Sequence, residues 1–483
     1  MKKRILTILL AALLTASTVS CGKPEQVQET TADTTAVIET TEETETQIQL
    51  GIPEEDNGGR DFHVLVPTEK AYEFVTENTG EAVNDAIFDR SLKTEEHFNI
   101  KFSYQYEDGG WDVRDTYNSF ISNAVIAGDS TYDLATGFIV CTLPLFTGGN
   151  FLDLAEQKDL NLDNEWWIVN QEKDLSLKDK LFCCMGDANL SVYKDCAVVY
   201  FNKRVLNNFQ LDDPYTLVRE NKWVMEKFLE MSEAAVVDLN GDGKIEFKTD
   251  AIGNYLQGVP LRALQTGMDV TFIITDENHN RTVTPLTDRI AKAYELAELF
   301  ESRGDMYAEF TAVDFYTFPE TFATDRSLFH MSYLYVLEGE MMRNMDADFG
   351  IVPYPKLDET QERFKTQIGT SSNVNFLPIT CSDPDLSCRV METLAYHSML
   401  NVVPTYYTVA LENKYTRDED VPEMLALIRE GMTMNFDFAF STTQHMGGTN
   451  VVFMDANGNL ASHLASKEKQ WNTGIEKLIA GLE

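Results

Sequence analysis

The chain has 483 residues, and 39 basic against 78 acidic side chains give it a formal net charge of −39. A chain this acidic repels phosphate, which excludes nucleic acid as a natural partner and disfavours anionic membrane surfaces. Hydrophobic residues make up 43 %, enough for a large core, and the length suits two or three folded units at roughly 100–200 residues each.

The first residues, Met1 to Cys21, carry a basic start (Lys2, Lys3, Arg4), an apolar run from Ile5 to Leu14, and the small residues Ser17, Thr18 and Ser20 directly before Cys21. The run is too short to span a bilayer and has the layout of an export signal. Residues 1–20 resemble a bacterial lipoprotein signal. That implies that Cys21 becomes the first residue of the mature protein and carries the lipid, palmitate included, on the extracellular face of the cell membrane. Thr18 stands where that pattern has a larger aliphatic side chain, and an ordinary secretion signal with a chance cysteine is the alternative. Residues 21–59 include TTADTTAVIETTEETETQ, rich in Thr and Glu. Such a stretch buries too little apolar surface to offset its ordering entropy, so it reads as a flexible tether. No later apolar run is long enough to cross a bilayer, so the membrane is reached through the lipid anchor only.

Beyond the tether, short apolar strands alternate with helical patterns. Phe62–Pro67 reads as a strand, Gly80–Phe98 as a helix with Val83, Ala86 and Ile87 on one face, and Asn99–Tyr104 as a strand. A helix over Tyr117–Gly128 and a strand over Tyr132–Phe138 follow. This β-α-β-α-β order predicts an α/β lobe with a largely parallel sheet. The pattern restarts with the β-prone run Cys196–Asn202, helices around Lys222–Val236 and Arg289–Glu301, and strands at Ser327–Leu337 and Phe349–Pro355. Helices then recur around Leu386–Leu400, Pro422–Glu430 and Ser462–Leu482. The fold class is therefore α/β with two lobes, and ligands in such sheets bind outside the carboxyl ends of the strands. The cysteines Cys141, Cys183, Cys184, Cys196, Cys381 and Cys388 form no CxxC pair and no zinc spacing with histidine, and several lie in apolar runs as buried thiols.

Several segments resemble family 1 extracellular solute-binding proteins of ABC importers, the class that includes maltose-binding proteins. They are TYDLATGF with FLDLAEQ, KLFCCMGDANLSVYKDCAVVYFNKRVLNNF, FATDRSLFHMSYLYV, and DFGIVPYPKLDE followed by GTSSNVNFLPITCSDPD. Tyr200, Phe201, Asn202 and Lys203 stand where that family has Y-N-K, with Phe201 inserted, and Asp325 and Arg326 stand where it has Gly-Lys. The helix region GEAVNDAIFDRSLKTEEHFNIKF and the stretch LENKYTRDEDVPEMLALI resemble a branch of Gram-positive lipoproteins. The resemblance runs from about Asp61 to the C-terminus. It implies a periplasmic-binding-protein-like fold with discontinuous lobes, 60–188 plus 353–402 and 189–352 plus 403–483. Hinge crossings are expected near Gly186–Ser191, Val352–Pro355 and Asn401–Thr405. It also implies a monomer that closes on a small solute, a sugar above all, and hands it to ABC importer permease subunits, with no cofactor required. Peptides remain open as ligands.

A sugar site needs acids or amides for paired hydrogen bonds and aromatic rings for stacking. Asp187 and Asn189, at the first expected crossing, are candidates, with an Asx-turn as the alternative. Tyr333 and Tyr335 follow a β-prone run, where cross-strand packing competes with a binding role. Thr370 and Ser371 form a polar loop after the second crossing. Thr68 and Glu69 follow the first strand at its carboxyl end, and Trp111 sits in the glycine-rich EDGGWD. Tyr406, with Tyr407, follows the third crossing. Trp166 and Trp167 are adjacent, so at least one belongs to the core.

DLNGDGKIEF sets Asp238, Asn240 and Asp242 at positions 1, 3 and 5 of an EF-hand-like loop, with Gly243 and Lys244 following. Oxygen ligands at that spacing suit Ca²⁺, although Thr249 replaces the last glutamate, so a structural Ca²⁺ site competes with an acidic turn. Two rival functions remain open at this level. An exported carbohydrate-active enzyme would need a carboxylate pair, which a chain with 78 acids leaves undefined. A binding module of a surface sensor would share every feature but the transporter. Nucleophile and phosphate-loop motifs are missing from the sequence: it has no GxSxG, no Walker A loop and no GxGxxG after a strand.

Overall fold

A computed structural model describes residues 48–482, apart from 170, 247, 258–261, 278, 304–306, 311–319, 413–417, 444–445 and 450–451. The export signal and Cys21 lie outside the described residues. Residues from Pro53 onward form one compact unit.

Among the described residues the strands are β1 (Arg60–Pro67), β2 (Ile100–Glu107), β3 (Leu134–Phe138), β4 (Ala197–Asn202), β5 (Ile252–Gln257), β6 (Ile273–Thr275), β7 (Arg281–Val283), β8 (Tyr307–Phe310), β9 (Ser327–Tyr333), β10 (Phe349–Val352), β11 (Thr366–Gln367), β12 (Asn373–Phe376) and β13 (Met432–Thr433). They form two main sheets. The first has the order β12-β3-β1-β2, and the second β10-β4-β9-β5-β8. Strands β1, β2 and β3 run parallel, as the β-α-β-α-β pattern predicts, while β12 joins antiparallel on β3. In the second sheet β5 is parallel to both β8 and β9, and β4 runs antiparallel to β9 and β10. β11 and β13 pair between two distant parts of the chain, and β6–β7 is a hairpin.

Local signals explain the helices. The Ala82–Phe98 helix starts where the Glu81 carboxylate accepts Asn84 N and stops where Asn99 turns left-handed at φ 44°. Thr287, Asp383 and Asn459 cap the helices Asp288–Ser302, Pro384–His397 and Leu460–Ala480 in the same way. The strand expected over Ser327–Leu337 ends at Tyr333 and continues as a 3₁₀ turn, Leu334–Glu338. Tyr200 Oη donates to Tyr333 O at 2.9 Å, and Leu334 N donates to Cys196 O, so β9 is pinned where it turns.

The chain passes between sheets after β3, when Cys184 still bridges to Asn375 of β12 but Cys196 already bridges to Ile368. It passes back between β10 and β12. The stretch Asn401–Thr405, where a third crossing is expected, is helical instead. A π turn, Ser398–Val402, joins Pro384–His397 to Val403–Glu412, and both helices pack on Ala82–Phe98 of the first layer. The chain reaches the second sheet later, with Val421–Glu430, which packs on β10.

Both Trp166 and Trp167 are buried. Their indole N–H groups donate to Glu392 at 2.5 and 3.1 Å, and Asn161 N and Asn164 Nδ2 fill its remaining acceptor sites. The six cysteines of the described residues are buried free thiols. No helix among the described residues is long and apolar enough to cross a membrane.

Candidate functional site

The topology brings two sets of chain ends together. The carboxyl ends of β1 and β3 lead into a 3₁₀ turn, Thr68–Glu73, and a short helix, Ile139–Thr142. Because β4 and β9 are antiparallel with Ala197 opposite Tyr333, β4 begins where β9 ends. That edge of the second sheet meets the ends of β1 and β3 along a seam.

Lys70 and Asp195 join across it. Lys70 Nζ lies 3.0 Å from Asp195 Oδ2, with the side chains only 7 % and 14 % exposed. The same ammonium lies 4.8 Å from the Phe138 ring centre and 5.8 Å from that of Tyr72, so a cation sits between two aromatic faces. Gly369 N donates to Asp195 O at 2.7 Å. A side chain at Gly369 would meet Asp195 O at 2.7 Å and the Tyr333 ring at 3.3 Å, which explains glycine there. Thr370 O accepts Val140 N at 3.3 Å, and Thr442 Oγ1 donates to Val140 O at 3.2 Å. Tyr333 stacks on Tyr335 with ring centres 5.8 Å apart. The seam continues into a cavity of about 240 Å³ whose walls include Tyr72, Lys194, Glu338 and Tyr406. There Lys194 Nζ lies 2.8 Å from Glu338 Oε2 and 4.7 Å from the Tyr72 ring centre, while Tyr406 Oη donates to Glu338 Oε1 at 3.1 Å. Charged acceptors, ammonium donors and half-buried rings are the groups that hold a hydroxylated ligand.

Of the residues expected from sequence, Tyr333, Tyr335, Thr370 and Tyr406 stand at this seam or its cavity. Ser371 is exposed beside Thr370. Thr68 opens the 3₁₀ turn, and Glu69 serves the neighbouring loop, accepting Gly109 N at 3.1 Å and Gly110 N at 2.7 Å. That loop carries Trp111, 48 % exposed, with the Arg114 guanidinium 4.3 Å from its ring centre.

Asp187 and Asn189 belong elsewhere, because their polar atoms are already engaged inside the protein. Asp187 is 1 % exposed and accepts Arg429 Nη2 at 2.7 Å, and Tyr193 Oη donates to it as well. Burial raises its carboxyl above the ordinary value, and the Arg429 charge opposes that rise. Asn189 and Asn375 exchange side-chain hydrogen bonds at 3.1 and 2.9 Å. The residues that sequence reasoning overlooks are Lys70, Tyr72, Phe138 and Asp195. The strand-end rule that singled out Thr68 and Glu69 reaches Lys70 and Tyr72 if carried a few residues further. Asp195 abuts the most β-prone run of the chain.

Glu73 fastens the turn after β1. Fully buried, it accepts Ser191 N at 2.6 Å and Asn373 Nδ2 at 2.8 Å. Burial raises its carboxyl, and nearby Lys70 lowers it. In the EF-hand-like loop, Asp238 accepts Gly241 N and Gly243 N, Asn240 accepts Asp242 N, and Asp242 accepts Lys244 N. Among the described residues no group of three or more His, Cys, Asp or Glu side chains is arranged to hold a metal ion.

No family model matches the chain, and no curated protein matches it in sequence. Solved structures do match in fold. A galacto-N-biose-/lacto-N-biose I-binding protein of the ABC transporter from Bifidobacterium longum, in complex with lacto-N-biose, aligns over 88 % of this chain and 99 % of its own at 11 % identity and a TM-score of 0.54. A sugar transporter from Rhizobium etli in an open conformation covers 87 % and 98 % at 13 % identity and 0.53. An ABC substrate-binding protein from Listeria monocytogenes in complex with cycloalternan covers 86 % and 99 % at 12 % identity and 0.50. The chain therefore has the two-lobe α/β fold of substrate-binding proteins, as the resemblance in sequence implies.

Proposed function

We propose that this protein is an extracellular substrate-binding lipoprotein, held to the membrane through Cys21, that captures a small carbohydrate or oligosaccharide between two lobes and delivers it unaltered to the permease subunits of an ABC importer. The observation that carries the reading is the seam. Charged and aromatic side chains from the carboxyl ends of β1 and β3 face the edge where β4 begins and β9 ends, and Lys70–Asp195 closes it. The sugars printed for the Bifidobacterium and Listeria structures of the same fold support the ligand class. In this reading residues 60–188 plus 353–412 and residues 189–352 plus 421–483 are the two lobes, since Val403–Glu412 packs on Ala82–Phe98 and Val421–Glu430 on β10. A neutral sugar would displace the Lys70–Asp195 contact, accepting from the Lys70 ammonium and donating a hydroxyl to the Asp195 carboxylate, while Tyr72, Phe138 and Tyr333 offer ring faces.

The test is a thermal-shift screen of the full-length chain against neutral oligosaccharides and peptides, followed by small-angle scattering with the best ligand. A sugar that raises the melting temperature and compacts the particle is expected. Chemical conversion of that sugar, or a preference for peptides, would overturn the reading.

A further inference from the structure

We propose that a cavity beside the hairpin β6–β7 is a second binding site, for a small polyhydroxy carboxylate of sugar-acid size. It measures about 380 Å³ and shares no lining residue with the seam or its cavity. That volume lies in the range of small-molecule pockets.

Its walls come from five separate stretches of chain. The Gln171–Leu175 helix gives Lys173 and Asp174, the hairpin β6–β7 gives Thr275 and Arg281, the loop before β6 gives Asp269 and Thr271, Lys365 precedes β11, and Thr433 lies on β13. The charge is unusual for this protein. The chain as a whole is strongly acidic, with a net charge of −39, yet here three cations meet two carboxylates. The three cations do different work. Arg281 is 7 % exposed and is already committed, donating to Lys173 O at 2.9 Å and to Ser176 O at 2.6 Å with its guanidinium over the Phe436 ring at 4.4 Å. It builds the wall. Lys173 and Lys365 both oppose the rise that burial imposes on the Asp174 carboxyl, and a ligand carboxylate in the cavity would meet the same two charges. Asp174 accepts Thr433 Oγ1 at 3.1 Å. That carboxylate, Asp269 and the Thr271 hydroxyl can take hydrogen bonds from ligand hydroxyls. Two ammonium groups with hydroxyl and carboxylate acceptors around them select an anion that also carries hydroxyls, and they disfavour both a plain apolar molecule and a polycation.

The experiment is isothermal titration of the full-length chain at low ionic strength with D-galacturonate and with gluconate, with galactose as the neutral control. The double variant Lys173→Ala/Lys365→Ala and the seam variant Asp195→Asn are titrated alongside. At least one acid should bind, at least tenfold more weakly to the double variant and equally well to Asp195→Asn, with galactose unaffected by the lysine changes. Should neither acid bind, or should Asp195→Asn abolish binding that the double variant retains, the second site does not exist. Circular dichroism of the double variant guards against misfolding, and the single variants Lys173→Gln and Lys365→Gln, each with a several-fold loss expected, replace it if it fails to fold.

Discussion

Two aspartates stand on either side of the short helix Leu190–Lys194, and they serve opposite ends. Asp187 is sealed inside, gripped by Arg429 and Tyr193. Asp195 faces the seam and meets one partner, Lys70, across it. Both lie where the chain changes sheets. The difference teaches that a polar residue near a crossover has two possible tasks, fixing the crossover or facing the ligand, and that its count of internal partners separates them. Glu73, Asn189 and Asn375 fall on the first side, fastening the turn after β1 and the strand β12 to the crossing segment. Tyr333, whose ring meets Tyr335 beside the seam, falls on the second.

The sharpest way to break this contrast is to remove Asp187. Asp187→Ala leaves the Arg429 guanidinium without its carboxylate, and loss of one partner of a buried pair costs about 3–5 kcal/mol. A large fall in the urea midpoint is expected, together with unchanged affinity for a neutral sugar wherever the variant remains folded. Reduced affinity at full stability would move Asp187 back into the ligand site.

A second interior group adds a pH test. Asp437 is fully buried and accepts Phe272 N at 2.5 Å and Ile273 N at 2.9 Å, and burial pushes its carboxyl up to about 7 from the ordinary 3.8. Between those values the folded protein keeps a proton that the unfolded chain has lost. Its contribution to stability therefore falls as pH rises through that window and levels off above it. The expected change is about 2 kcal/mol between about pH 5 and pH 7. Urea midpoints of the parent and of Asp437→Asn measure it: the parent should show the slope and the variant a flatter one. Equal slopes would mean that Asp437 does not titrate there.

How much of this was legible beforehand divides along the same line. The strands β1, β2, β3 and β4 and the long amphipathic helices announce themselves as apolar runs and 3.6-residue periodicity, because each buries a face against its own layer. β12 does not. NVNF carries two asparagines, and it is a strand because Asn373 and Asn375 find partners in Glu73 and Asn189, far away in sequence. β5 hides for a related reason. Gly253 weakens its pattern, yet a side chain there would press within 2.2 Å of Ser232 O, so only glycine lets the strand lie against the helix Met225–Ala234. The candidate seam was partly legible: Tyr333 and Tyr335 follow a β-prone run, while Thr370 and Tyr406 were singled out beside expected crossings. Asp187 could not be told from Asp195, since the partner that claims it, Arg429, arrives from near the other end of the chain.

A middle-sized effect belongs to the seam itself. Asp195→Asn removes the charge that meets Lys70, and with it a charge-assisted acceptor for a ligand hydroxyl. Affinity for the sugar should drop about tenfold, close to 1.4 kcal/mol, with a smaller change in the urea midpoint than Asp187→Ala gives, because the Asn carbonyl still accepts from the Lys70 ammonium. Titration calorimetry and urea unfolding on the same two proteins set the pair side by side. If the two variants lost similar stability and neither lost affinity, the division between interior and seam would collapse.

The smallest effect is expected at the rim. Trp111 is the largest exposed ring on a loop that Glu69 holds through Gly109 N and Gly110 N, and Arg114 covers one face of it. A side chain at Gly110 would sit 2.5 Å from Glu69 Oε1, so the loop has little freedom to shift. About half of the ring stays in water, so a ligand that reaches its open face gains little buried area. Trp111→Ala should therefore weaken sugar binding by no more than about threefold and alter stability by about 0.5 kcal/mol or less. Calorimetry with a long and a short oligosaccharide refines the point. A loss confined to the longer sugar places Trp111 at the outer end of the seam, whereas an equal, tenfold loss for both would place it at the centre, beside Phe138 and Tyr72.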